Sequence, residues 1–429
     1  MNRKTEFGGF LSIMKTLGVV ASSLLLIAPV SVSAQQSAAD NQKPVIKSAK
    51  VAESLLQDIA RAGDRLVVVG ERGHIAYSND NGKSWQQADD PTRAMLNAVF
   101  FISPEEGWAV GHDGLVLHST DGGQNWAMQL DGLKFTRQRM ADSIPVIEGK
   151  IKALAADKDA AEKQMDDAQL AGEEDAAAAA ADEDAADAVA ADDVDVSQFE
   201  EVIADIDEKI SALETDLEDA KAALTNTVAN PLMDVWFRDA NTGFAVGAFG
   251  EFLKTGDGGV SWTSIADRLD NDERVHLNAI TGKGDLMYIA GEAGHVYRSE
   301  DGGMHWSALS PDPENGSFFT VNIISDDQVF ISGLRGAMYR SVDGGKSWKQ
   351  VSESLHKNMN GIYFVGDTVL AAGNDGAFLR SRDGGRTFLP SPRKNRLTVA
   401  SVTEAADGSY VLVGAGGVEI VAPDSLQSR

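Results

Sequence analysis

Polar and apolar residues alternate along this chain in short runs that keep returning in the same order. Apolar stretches such as Leu66-Val-Val-Val-Gly70 and Val329-Phe-Ile-Ser-Gly333 end in a glycine, and a second glycine follows after two residues. The pairs are Gly70/Gly73, Gly111/Gly114, Gly247/Gly250, Gly291/Gly294, Gly333/Gly336, Gly373/Gly376 and Gly414/Gly417. After six of the seven pairs comes a polar box, S/T-x-D-x-G-x-x-W/F, centred on Asp80, Asp121, Asp257, Asp301, Asp343 and Asp383. Most units open on a third element such as Leu96-Asn-Ala-Val-Phe-Phe101 or Leu232-Met-Asp-Val-Trp-Phe237. Each unit therefore reads as four short strands punctuated by turns. Seven such units predict an all-β, seven-bladed β-propeller, with blades one and two in residues 42–132 and blades three to seven in 229–424. The last unit has no box, so blades one and seven are expected to meet where the ring closes.

The repeat is interrupted once. The boxes at Asp121 and Asp257 stand far further apart than the others, with an excess of roughly 95 residues over the usual period. The second half of this insertion, residues 133–228, carries Phe199, Ile203, Ile206, Ile210, Leu213, Leu217, Ala220 and Leu224 in steps of four and three. That spacing is a heptad seam. A thinner seam, Ile144, Ile147, Ile151, Leu154, Ala161, Met165 and Ala168, runs through the first half and is broken at Lys158. Two seams around the Ala/Asp/Glu tract from Gly172 to Asp195 predict an antiparallel helical hairpin, a coiled coil with arms of about 40 Å. A partly disordered acidic loop is the alternative. The arm leaves from a connection between blades, which puts it on the same face as the Gly-x-x-Gly turns and opposite the boxes.

Charge follows the insertion. The chain carries a formal charge of -27, and residues 141–230 hold 26 acidic and 6 basic side chains. A near-neutral body with an acidic appendage argues against nucleic acid as a partner. Arg3, Lys4 and Lys15 precede an apolar run, Leu17 to Val30, that ends in Ser31-Val-Ser-Ala34. This predicts a signal peptide over residues 1–34, cleaved after Ala34, and a periplasmic or secreted product with no membrane insertion afterwards. The chain has no cysteine, which rules out disulfides, thiolate chemistry and Cys-based metal or haem sites.

No nucleophile elbow, zinc-protease helix, P-loop or dinucleotide fingerprint is present. The seven histidines are scattered, with His74 and His295 at equivalent blade positions. The six box aspartates are read as structural: their carboxylates accept backbone N–H groups of their own turn, and the aromatic packs beneath it. No catalytic, cofactor or metal residue is assigned. The Gly-x-x-Gly turns present different side chains in each blade and form the candidate partner face: Glu71, Arg72, His112, Asp113, Phe249, Glu292, Leu334, Arg335, Asn374 and Asp375.

The Val-Gly-x-x-Gly and Ser-x-Asp-Gly-Gly-x-x-Trp units, with openings such as Leu232 to Phe237, resemble the BNR/Asp-box propellers of the photosystem II stability and assembly factor family. The resemblance covers nearly all of the chain except the arm. It implies an exported, non-catalytic scaffold that binds a subunit of a membrane or envelope complex and assists its assembly. By analogy the client belongs to a photosystem or to an RND-type exporter. Self-association through the arm is a further expectation. A glycan-active sialidase-like hydrolase or carbohydrate-binding propeller is the alternative, and it would need carboxylates clustered at the channel.

Overall fold

The computed structural model describes residues 41, 43–180, 195–225, 228–309, 316–351, 354–391, 393 and 395–422. The segment read as a signal peptide, with its cleavage point, lies outside them. Strand-forming runs fold where the repeat predicts, into seven antiparallel sheets arranged as the blades of a propeller. Blade one shows the pattern: an innermost strand Leu56–Ala62, then Arg65–Gly70, Ile75–Ser78 and a two-residue outer strand Gln86–Gln87.

Burial explains why the blades form a ring. Seven apolar clusters each mix residues of two neighbouring blades. One joins Val67 and Ile75 of blade one to Leu96 and Ala109 of blade two. Another joins Leu66 and Val68 of blade one to Val411 and Val413 of blade seven, which closes the ring. A fully buried aliphatic side chain contributes about 1.5–3 kcal/mol, so no single blade is a stable unit and closure is set by this last cluster.

Two local devices recur. Every innermost strand carries a bulge at its second residue, as between Leu56 and Asp58 or Leu96 and Ala98. The bulge lets second and third residues of all seven strands line the central channel. The first glycine of each turn lies hard against the carbonyl that precedes the innermost strand. A Cβ on Gly333 would overlap the oxygen of Ser317, and one on Gly373 that of Asn358.

The seventh blade departs from the expectation of four strands. Among the described residues it has three: Val399–Glu404, Tyr410–Gly414 and Gly417–Val421. Its glycine pair is also a different turn, because Gly414 and Gly417 face each other across a two-residue hairpin, whereas five of the six other pairs bracket one helical turn and Gly291/Gly294 brackets a turn closed by the His295 N–H on the Glu292 carbonyl.

The insertion is a helical hairpin. Helix α1 spans Gly132–Ala180 and helix α2 spans Ser197–Thr225. Ion pairs Lys158–Asp207 at 2.7 Å and Lys221–Glu148 at 3.0 Å run in opposite senses along the two helices and fix them as antiparallel. Lys158, which breaks the seam in the sequence, thus bridges the helices. Helix α1 is longer than expected, at about 1.5 Å per residue nearly twice the predicted 40 Å, because alanine, the strongest helix former, carries it on into the polar tract. It also runs through Pro145 without ending. Among the described residues no helix is long and apolar enough to cross a membrane.

Candidate partner-binding face

Each of the six Gly-x-x-Gly turns is tied to the entry of its blade by a backbone hydrogen bond. The residue after the first glycine donates to the carbonyl preceding the innermost strand, as in Glu71 to Leu55 at 3.0 Å and Leu334 to Ser317 at 2.9 Å. The next residue then takes a left-handed backbone: Arg72, Asp113, Phe249, Ala293, Arg335 and Asp375 have φ between 51° and 59°. These second positions stand at the tips, and all but the half-buried Asp113 are exposed.

This geometry separates the ten candidate residues. Arg72, His112, Phe249, Arg335 and Asp375 are exposed. Glu71 is half-buried and accepts the N–H of Leu55 at 3.1 Å, so its carboxylate serves the turn. Glu292 accepts from the N–H of His276 at 3.4 Å in the equivalent way. Asn374 accepts from Asn360 at 2.9 Å. Asp113 accepts from Asn41 at 2.9 Å, and Asp375 pairs with Lys357 at 2.6 Å. Leu334 is half-buried.

The arm is rooted on this face. Phe135 packs against the cluster between blades two and three, and Arg139 forms a two-pronged ion pair with Glu251 at 2.8 and 3.3 Å. Between the arm and blade three lies a groove of about 790 Å³, lined by residues including Arg139, Met140, Phe249, Leu269 and Arg274. Phe249 is 59% exposed and rests edge-on against His276, ring centres 4.8 Å apart. Of the ten candidates only Phe249 lines this groove. Sequence reasoning missed Arg139; its one signal is that Arg137 and Arg139 open an otherwise acidic insertion.

The opposite face carries the boxes. Asp80 accepts from Ser78 Oγ at 2.7 Å, from the Ser84 N–H at 2.8 Å and from Ser84 Oγ at 2.6 Å. Asp301 accepts from Ser299 Oγ and from the N–H groups of Met304 and His305. These bonds, led by those of Ser84, Ser261 and Ser347, hold the carboxyls of Asp80, Asp257 and Asp343 down to about 2. Asp301 and Asp383 are lowered as well, chiefly by the His305 backbone N–H and the Ser381 hydroxyl. Carboxylates so firmly ionised are poor general acids. Their partners all lie within their own turns.

A second feature the sequence did not disclose is the channel, a cavity of about 280 Å³ walled by all seven innermost strands. Asp58 accepts from the N–H of Ile59 at 2.8 Å and of Val99, on the next blade, at 2.9 Å. Asp234 repeats this with Val235 at 2.8 Å and Ile280 at 2.9 Å. Asn97, Asn278 and Asn360 donate across the junctions of blades two and three, four and five, and six and seven, to the carbonyls of Leu232, Phe318 and Val399. Enclosure among the blades pushes Asp58 up to about 6 and Asp234 to about 7, the latter also raised by the charge of Asp58. Both aspartates stand in the strand-opening motif, but only the ring brings them near each other. Among the described residues no group of three His, Asp or Glu side chains is placed to hold a metal ion.

Comparison with known proteins agrees with this architecture. A stretch of 63 residues is 38% identical to the photosystem II assembly lipoprotein Ycf48 of Synechococcus sp. (strain CC9902), covering 14% of this chain and 19% of that protein. A stretch of 59 residues is 44% identical to the protein of the same name from Prochlorococcus marinus (strain MIT 9313), covering 14% and 17%. The chain thus matches under a fifth of the length of these curated relatives. The solved structure of YCF48 from Cyanidioschyzon merolae superposes with a TM-score of 0.54 at 15% identity, over 89% of this chain and 98% of that one, a likeness of fold. The family described as "Photosynthesis system II assembly factor YCF48" matches residues 43–162 and 217–417, well over half of the sequence and both sides of the arm, and the chain belongs to that family.

Proposed function

We propose that this protein is an exported, non-catalytic scaffold that holds a segment of a membrane or envelope protein while a complex is assembled. The observation that carries this reading is the contrast between the two faces. The box face repeats itself, while the Gly-x-x-Gly face sets a different pair of side chains on each turn over a rigid ring. Glycine would take the left-handed backbone there without strain, and five of the six tips carry a side chain larger than methyl. Strained, exposed and varied residues on a fixed frame are where binding surfaces concentrate. Phe249 and Arg335 belong to classes enriched at interaction hot spots. The client is a photosystem subunit in a photosynthetic host and a subunit of another envelope complex, such as an RND-type exporter, elsewhere.

Phe249→Asp and Arg335→Glu should each leave the melting temperature nearly unchanged and weaken capture of the client from envelope extract by about tenfold or more. Retained capture in both variants, together with its loss in Lys83→Glu and Lys346→Glu on the box face, would place the docking surface on the other side.

The glycan-active reading is favoured by one observation, the two channel carboxylates. Against it, both oxygens of each aspartate are engaged by backbone N–H groups that tie neighbouring blades together. Hydrolysis of sialoside or β-glucan substrates, lost in Asp234→Asn, would revive it.

A further inference from the structure

Among the described residues blade seven is one strand short, and the six other blades describe what a fourth strand there looks like. In each of them the two residues before the box Ser or Thr pair with a short outer strand: Tyr77 with Gln86, Arg340 with Lys349, Arg380 with Leu389. Val421 lies opposite Tyr410 as Ser78 lies opposite Leu66. The equivalent residues of blade seven are therefore Glu419 and Ile420. Among the described residues their strand, Gly417–Val421, pairs only with Tyr410–Gly414.

Alternation from the hairpin's closing pair, Gly414 with Gly417, leaves the N–H and C=O of Val418 and Ile420 pointing away from that neighbour. An unpaired edge of this kind is a template for another strand. In the six complete blades the outer strand follows an aromatic residue, and that ring packs into the cluster shared with the preceding blade, as Trp126 and Trp262 do. The cluster between blades six and seven has no such ring; Tyr363, Val365 and Val421 stand there only partly buried. Beside the edge is a cavity of about 160 Å³ lined by Arg393, Leu412 and Glu419 among others. The Arg393 side chain is 5% exposed and bonds Glu419 at 2.5 Å, while its Nε is buried without a partner among the described residues.

We propose that this edge docks an extended segment of a partner protein, which completes blade seven as its fourth strand and seats an aromatic side chain between blades six and seven. The mode is strand addition: backbone bonds supply affinity and the ring supplies specificity. Two occupants from within fit less well. Neither Gly417–Val421 of a second copy nor residues 423–429 of this chain contain an aromatic residue. The proposal rests on reading the molecule as a protein-binding scaffold.

The test uses the full chain and a synthetic peptide copying residues 341–351, the box and outer strand of blade five. Saturable binding is expected, with backbone hydrogen exchange slowed at Ile420. The peptide's Trp→Ala form and a form N-methylated at the lysine after the tryptophan should bind at least about tenfold more weakly. Ile420→Pro removes the outward donor and should abolish binding; if it fails to fold, the N-methylated peptide makes the same cut from the other side. Binding that leaves exchange across residues 417–421 unchanged overturns the proposal. Binding that emerges only when residues 423–429 are deleted overturns it in favour of the chain's own tail, and protection of Ile420 that grows with protein concentration overturns it in favour of a second copy. Arg335→Glu should bind the peptide normally, so failure of the turn face as the client site would be seen separately from failure of this edge.

Discussion

Two groups of aspartates in this protein respond to pH in opposite directions. The box carboxylates are held below their ordinary value by hydrogen bonds, so their contribution is present above about pH 4 and is lost as pH falls through their folded values. Asp58 and Asp234 are raised by enclosure to about 6 and about 7, and Asp90, also enclosed and with Oδ2 unpartnered among the described residues, to about 8. In these three the folded state holds protons that the unfolded chain has released, so stability falls as pH rises from about 4 to about 8. The melting temperature should therefore be higher at pH 5 than at pH 8. Asp234→Asn should flatten the profile while lowering the melting temperature at pH 5, because its amide NH2 would face one of the two N–H groups that the carboxyl oxygens accept; an unchanged profile would show that this carboxyl does not titrate in the window. Box residues answer a different experiment. Trp126 is 6% exposed and its Nε1 donates to the carbonyl of Gly123 at 3.0 Å. Trp126→Ala should cost about 3–5 kcal/mol in denaturant unfolding, and Asp301→Ala should lower the melting temperature, both with client capture intact in the folded fraction. Loss of capture at wild-type stability would make the boxes part of the site.

At the scale of elements, strands and turns were legible because the repeat prints them six or seven times. The period-two pattern and the glycine pairs mark each hairpin, and the box marks each outer turn. What could not be read was which of two reasons keeps a glycine in place. The first glycine of each turn has an extended backbone, so it is required by close approach between chain segments rather than by its dihedral angles. Gly373→Ala, which would drive a Cβ into the carbonyl of Asn358, should destabilise strongly or abolish folding, as seen by loss of a cooperative melting transition. Helix α1 misled in the other direction. Its alanine-rich continuation has hardly any apolar anchor, and a seam-based reading stops it early, whereas intrinsic propensity extends it to Ala180. The α2 seam was correct in kind, yet Ile206 and Ala220 are its only buried residues, because a two-helix contact covers only one side.

For the whole molecule, the arm and the ring are separable on energetic grounds. The ring's seven clusters draw on the arm for Phe135 alone, and only as a partly buried contact. Replacing residues 135–227 with a short Gly/Ser linker should leave a folded propeller: circular dichroism would lose helix and keep strand, and melting would stay cooperative. An unfolded product would mean that Arg139 and Phe135 fasten blades two and three. The sequence by itself determined the blade count, the strands of the six box-bearing blades and the helical insertion between blades two and three, because each rests on local periodicity along the chain. Only the tertiary structure decided which residues share a surface. It set Arg139 beside Glu251 across 112 positions, put Asp58 and Asp234 in one channel, turned Glu71, Glu292 and Asn374 inward to their own scaffold, and left the edge of Gly417–Val421 unpaired among the described residues. Those outcomes depend on ring closure, which joins residues far apart in the chain, and no local pattern encodes the distance between two blades.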